Sequence, residues 1–182
     1  MADPVSKTST TPEPAAVAAK PAPATPAEAL SSARQVEELA DRLSACADSL
    51  HDRVMRDIRR YPGDVPDAEQ TVARTLLEAE QELRQRANRL YADAAACIVS
   101  SLGQPQQHVI QLTADAAAKI QGITRIGDGI GLVARLLGLA AAAATGQVAP
   151  ILTALAALKG QLDVIKLHNS PPAPAPAPDA AA

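Results

Sequence analysis

Phenylalanine and tryptophan are absent from this chain, and Tyr61 and Tyr91 are its only aromatic residues. Stacking single-stranded nucleic acid needs aromatic platforms, and two tyrosines 30 positions apart do not make one. A surplus of one charge is lacking too. The 17 basic and 20 acidic residues are interspersed, for a formal charge of −3, without the one-sided basic surplus that counterion release on phosphates would exploit. No nucleic-acid partner is expected. Period-two runs of β-branched and aromatic residues are missing, which removes sandwiches and barrels. Cys46 and Cys97 are too few for a disulfide framework and fall on apolar positions, where a buried free thiol is the ordinary reading. Met1 to Lys20 contains no continuous apolar stretch and does not read as a secretory signal. A cytoplasmic location is therefore expected, with membrane or granule association as the alternative and secretion without a cleaved signal left open.

What the chain does contain is small and aliphatic. Hydrophobic residues make up 47% of 182, so the core must be built from Leu, Ile, Val and Ala, which suits close helix packing. The expected fold is all-α: an elongated antiparallel bundle of about four helices in one domain, residues 26–168. Residues 1–25 and 169–182, rich in Pro and Ala, are read as disordered tails.

Thr25-Pro26-Ala27-Glu28 has the form of a capping box, which predicts a first helix over 26–60. Val36, Leu39, Leu43, Cys46, Leu50, Val54, Ile58 and Tyr61 then recur every three or four residues. Pro62-Gly63 ends that run, and a second helix over 66–102 carries Val72, Leu76, Leu83, Leu90 and Cys97 on one face. Gly103 would supply its left-handed cap, and Pro105 would stop it. Glu82 and Arg86 have the favourable four-residue spacing of a solvated face. A third helix is expected over 106–145, with Gly127, Gly129 and Gly131 as a hinge where it kinks or unwinds. The fourth, over 148–168, places Val148, Ile151, Leu155, Leu158, Leu162 and Ile165 at heptad spacing. Short links predict an up-down-up-down order in which this last helix covers about half the length of the others.

No reaction is legible. In a hairpin closed at residues 61–66, Cys46 would lie level with Gln81, leaving Cys97 ~24 Å farther along, beyond disulfide reach. His51, His108 and His168 fall at different levels, and none has a second His or Cys at metal-ligand spacing. Asp48 with His51 is an isolated carboxylate and imidazole pair. Gly129 to Ala134 fits a G-x-G-x-x-A pattern, but a helical segment rather than a βαβ unit follows. We expect neither catalysis nor a metal or cofactor.

The most informative stretch lies between Asp128 and Lys159, where Arg135 is the only charge and apolar residues occupy nearly every helical face. Leu136 to Leu158 is uncharged, long enough for one membrane span, but rich in alanine and interrupted by Gly146 and Pro150. As a hairpin, each arm is too short to cross a bilayer and must be covered by protein or an interface. The expected interaction or insertion residues are Ile130, Val133, Leu136, Leu137, Leu139, Val148, Ile151, Leu152, Leu155 and Leu158. The expected function is that of a non-catalytic structural or interaction protein which self-associates, or binds another helical protein, through this hairpin. The alternative is a protein of a lipid surface, of granule-coat or pore-forming type. In composition alone, the alanine-rich helices and Pro/Ala tail are similar to those of phasins, the coat proteins of storage granules.

Overall fold

The computed structural model describes residues 28–123 and 126–169, so the expected tails, apart from Asn169, lie outside the described residues. Five α-helices follow in order: α1 Ala33–Ile58, α2 Asp67–Ala92, α3 Gln106–Gly122, α4 Ile126–Ala144 and α5 Val148–Asn169. Among the described residues the only β pairing is an isolated bridge between Glu28 and Pro105.

The expected third helix is two. A continuous helix from Gln106 to Thr145 would be about 60 Å long, while α1 and α2, with 26 residues each, span about 39 Å. Its apolar second half would project into water. The chain instead leaves the helix at Ile123, in extended conformation (φ −64°, ψ 127°), and α4 returns along the bundle. The break precedes the expected hinge: Gly127, Gly129 and Gly131 all belong to α4. The last helix is consequently comparable in length to its neighbours rather than half as long.

Contacts between the helices give their directions. Gln106 bonds the Gln35 carbonyl and Glu38, and Arg53 reaches the carbonyls of Ile120 and Gln121, so α1 and α3 run parallel. Arg84 pairs with Asp48, and His51 faces Glu80, so α2 is antiparallel to α1. Asp128 meets His168, closing an antiparallel α4–α5 hairpin. The order is up-down-up-down-up. Around the axis, α1 packs between α2 and α3, α4 packs between α2 and α5, and α3 touches α5. We call the end where α1, α3 and α5 begin the base.

The base explains two differences from the expected boundaries. Glu28 does not cap a helix; its Oε1 accepts from the Gly103 amide at 2.8 Å. Ala29 donates to the Gln104 carbonyl and Val99 donates to the Leu30 carbonyl, which ties residues 28–30 across the base. Leu30 is fully buried there at φ 59°, a left-handed conformation unusual for leucine. The working box is Ser32-Ala33-Arg34-Gln35: Ser32 accepts from the Gln35 amide, and Gln35 Oε1 accepts from the Ser31 amide. The same backbone bonds draw residues 98–105 out of α2, which stops at Ala92. Gly103 is left-handed at φ 69°, as expected, but inside this connection rather than at a helix end.

Val36, Leu39, Leu43, Cys46, Leu50 and Val54 of α1 are buried, as is the heptad face of α5 from Ile151 to Ile165. Val148 is half-buried and Tyr61 is exposed.

Candidate functional site

The apolar hairpin is α4 with α5. Of its expected interaction residues, Val133, Leu136, Leu139, Ile151, Leu155 and Leu158 are buried inside the bundle, and Leu137 and Val148 are half-buried. Folding α4 back between α2 and α5 covers most of the apolar surface with the chain's own helices. Ile130 and Leu152 face water, 41% and 37% exposed.

Two residues beyond the expected stretch join them: Val164 is 41% exposed and Leu167 is 74% exposed. On α5, Leu152, Ala156, Gly160 and Val164 recur every fourth residue on the solvent side, and Leu167 lies on the same side. A Cβ built at Gly160 would meet nothing within 4 Å. Lys159 and Asp163 flank this ridge and pair with each other at 3.0 Å, so they leave no net charge beside it. Gly131 has a different setting. A Cβ there would come within 3.0 Å of the Gln161 side chain, so glycine permits the close α4–α5 approach. The levels of Asp128 with His168 and of Gly131 with Gln161 place Ile130 near the height of Val164.

The chemistry-bearing side chains sit elsewhere. Asp48 pairs with Arg84 at 2.7 Å, not with His51. Arg84 also binds Glu80, a buried carboxylate that His51 approaches at 4.0 Å. The hydrogen bonds that Arg84 donates to Glu80 and then to Asp48 raise its pKa, so this cluster clamps α1 to α2 as an ion network. By spacing alone Glu80 and Arg84 belong to the solvated face of α2, because their contact with Asp48 and His51 spans two helices. Along the bundle α2 sits about one turn from its expected register: Cys46 lies level with Gln85 or Arg86, not Gln81.

Cys46 and Cys97 are both free and buried. The Cys46 thiol donates to the Thr113 carbonyl at 3.3 Å, and burial pushes its pKa up to about 12. Burial, then Asp93, raises Cys97, which lies in the turn after α2. His108 is exposed near the base, and His168 is at the opposite end. Among the described residues no group of three or more His, Cys, Asp or Glu could hold a metal ion. The G-x-G-x-x-A stretch, Gly129 to Ala134, is wholly helical.

No family model, curated protein or solved structure matches this chain.

Proposed function

We propose that this chain is a non-catalytic structural protein that self-associates through the outer face of α5. The observation carrying this reading is the Leu152–Ala156–Gly160–Val164 ridge, apolar and exposed while the opposite face of the same helix is buried. A surface helix ordinarily keeps one apolar stripe, and α5 has two. Ridges of every fourth residue mesh with like ridges of a second helix, and Ala156 and Gly160 allow the backbones to approach closely. A two-fold axis near these small residues would set Leu152 against Val164 of a second copy, burying each on a like surface.

Light scattering behind size exclusion tests this. The expected result is a mass above the 18.7 kDa of one chain, with Gly160→Glu returning the protein to a monomer of undiminished helicity. A wild-type protein that stays monomeric and folded across a wide concentration range would sink the reading.

One observation favours a second reading, a lipid partner. Among the described residues α5 is the one helix long and apolar enough to cross a membrane, and 28% of its most apolar stretch is buried. Flotation with vesicles separates the two: co-flotation with dye release supports lipid, and its absence at every lipid charge and pH removes it.

A further inference from the structure

We propose that the end of the bundle opposite the base binds a single-chain anionic amphiphile, with its tail in a cavity between α1, α2, α3 and the start of α4 and its head on Arg59 and Arg60, which directly follow α1. The cavity encloses about 260 Å³ and is walled by Leu50, Val54, Ile58, Val72, Leu76 and Ile120, with Ala73 beside them. Several of these walls, Ile58, Val72 and Leu76, are only half-buried, which is the state of apolar side chains lining an open hole rather than a packed core. An apolar cavity of ~150 Å³ takes benzene, so this one has room for roughly eight to ten carbons.

The mouth supplies the charge. Arg53, Asp57, Arg60, Tyr61 and Glu69 line its polar side, and Arg60 is shared with an adjoining shallow depression formed by Asp52, Arg56, Arg59 and Gln121. Two of the four arginines are committed. Arg53 donates to Asp57 at 2.5 Å and to the Ile120 and Gln121 carbonyls, and Arg56 donates to Gln121. The other two make no hydrogen bond through their side chains, although Arg60 is ion-paired with Asp57. Arg60 stands 3.2 Å from Asp57 Oδ1 but makes no hydrogen bond to it, since that oxygen has no hydrogen-bond partner. Arg59 has no ion pair or side-chain hydrogen bond among the described residues and is exposed. Arg59 is thus an unpaired cation in the depression beside the mouth, and Arg60, paired with Asp57, stands at the mouth itself with donors to spare, an arrangement that can take a carboxylate on an alkyl chain. The α1 C-terminus explains the arginines partly, since cations there complement the helix dipole. It does not explain the hole beneath them.

Decanoate, below the concentration at which it forms micelles, is the probe, titrated calorimetrically into the full-length protein. The expected result is saturable one-to-one binding. Decanol, which has the tail without the charge, should bind about tenfold more weakly, because a charge-assisted contact to arginine is lost. Ala73→Met, which fills the cavity from a helix-compatible side chain, should abolish both. The surface double variant Arg59→Glu/Arg60→Glu should weaken decanoate about tenfold and leave decanol unchanged. The proposal is overturned by no saturable binding of decanoate, by equal affinity for decanoate and decanol, or by binding that Ala73→Met leaves intact. Binding to phosphatidylglycerol vesicles with none to monomeric decanoate would equally overturn it, placing the chemistry at a membrane surface instead.

Discussion

Nδ1 of His168 lies 2.8 Å from Oδ2 of Asp128, tying the last turn of α5 to the first turn of α4. Each partner also suits its helix end: a carboxylate complements free amides at an N-terminus, and imidazole complements free carbonyls at a C-terminus. The contact therefore locks the open end of the hairpin, where no loop joins the helices. Asp128→Asn and His168→Ala are each expected to cost less than about 1 kcal/mol in urea unfolding, because His168 is a third exposed. A double-mutant cycle should return a coupling of about 0.5 kcal/mol, and additive single effects would show that the clamp contributes nothing.

Gln106 is the polar hub of the base. Its Oε1 accepts from the buried Leu30 amide at 3.1 Å, while its Nε2 donates to the Gln35 carbonyl and to Glu38. Gln106→Leu preserves the bulk but strands the Leu30 amide, and an unsatisfied buried donor costs roughly 1–3 kcal/mol. We expect a loss of that size in denaturant midpoint, with amide exchange accelerating first at residues 29–30 and 99. A variant as stable as wild type would mean that the segment 28–30 is not held at the base.

Glycines of the hairpin should separate by their surroundings. Gly138 meets nothing within 4 Å, so Gly138→Ala is expected to raise stability by about 0.5–1 kcal/mol through helix propensity alone. Gly131→Leu must displace Gln161 and should lower it. Gly146, at φ 62° and with the Ala96 carbonyl 3.4 Å from a built Cβ, should lose about 1 kcal/mol on change to alanine. Thermal melts read all three, and a stabilising Gly131→Leu would contradict the close α4–α5 approach.

Legibility of the fold followed how local each cause was. The heptad of α5, bracketed by Gly146 and a proline pair, yields boundaries within one residue of Val148–Asn169. The apolar stripe of α1 is equally plain. The start of α1 and the end of α2 depend on backbone bonds between Ala29 and Gln104 and between Leu30 and Val99, pairings that no local motif announces. The reversal between α3 and α4 carries no proline, and the glycine-rich signal lies a few residues late, because Ile123 ends α3 in an extended conformation that a β-branched residue adopts easily. For the candidate site, Ile130 and Leu152 were legible as apolar residues in need of a partner. Val164 and Leu167 were missed because Lys159, Asp163 and Lys166 restore charge to that segment, and the four-residue ridge passing between them becomes visible only once the buried face of α5 is known.

The two thiols give a prediction with a definite pH direction. Cys46 is buried and its pKa is raised from an ordinary 9.0 to about 12. In the unfolded chain the same thiol ionises near its ordinary value, so between those limits the unfolded state binds fewer protons than the folded one. Stability must then fall as pH rises. The contribution is fully present below pH 9 and is lost progressively as pH climbs through the folded value. Cys97, raised in the same direction, adds to the same slope. Because the thiolate is the reactive species, neither cysteine of the native protein should react with Ellman's reagent at pH 8 on the timescale of minutes, whereas both should react in urea. The variant Cys46→Ala should flatten the decline of stability above pH 9 relative to wild type. Rapid labelling of Cys46 in the native protein, or an alkaline slope that Cys46→Ala leaves unchanged, would show that the α1–α3 seam around Thr113 admits water.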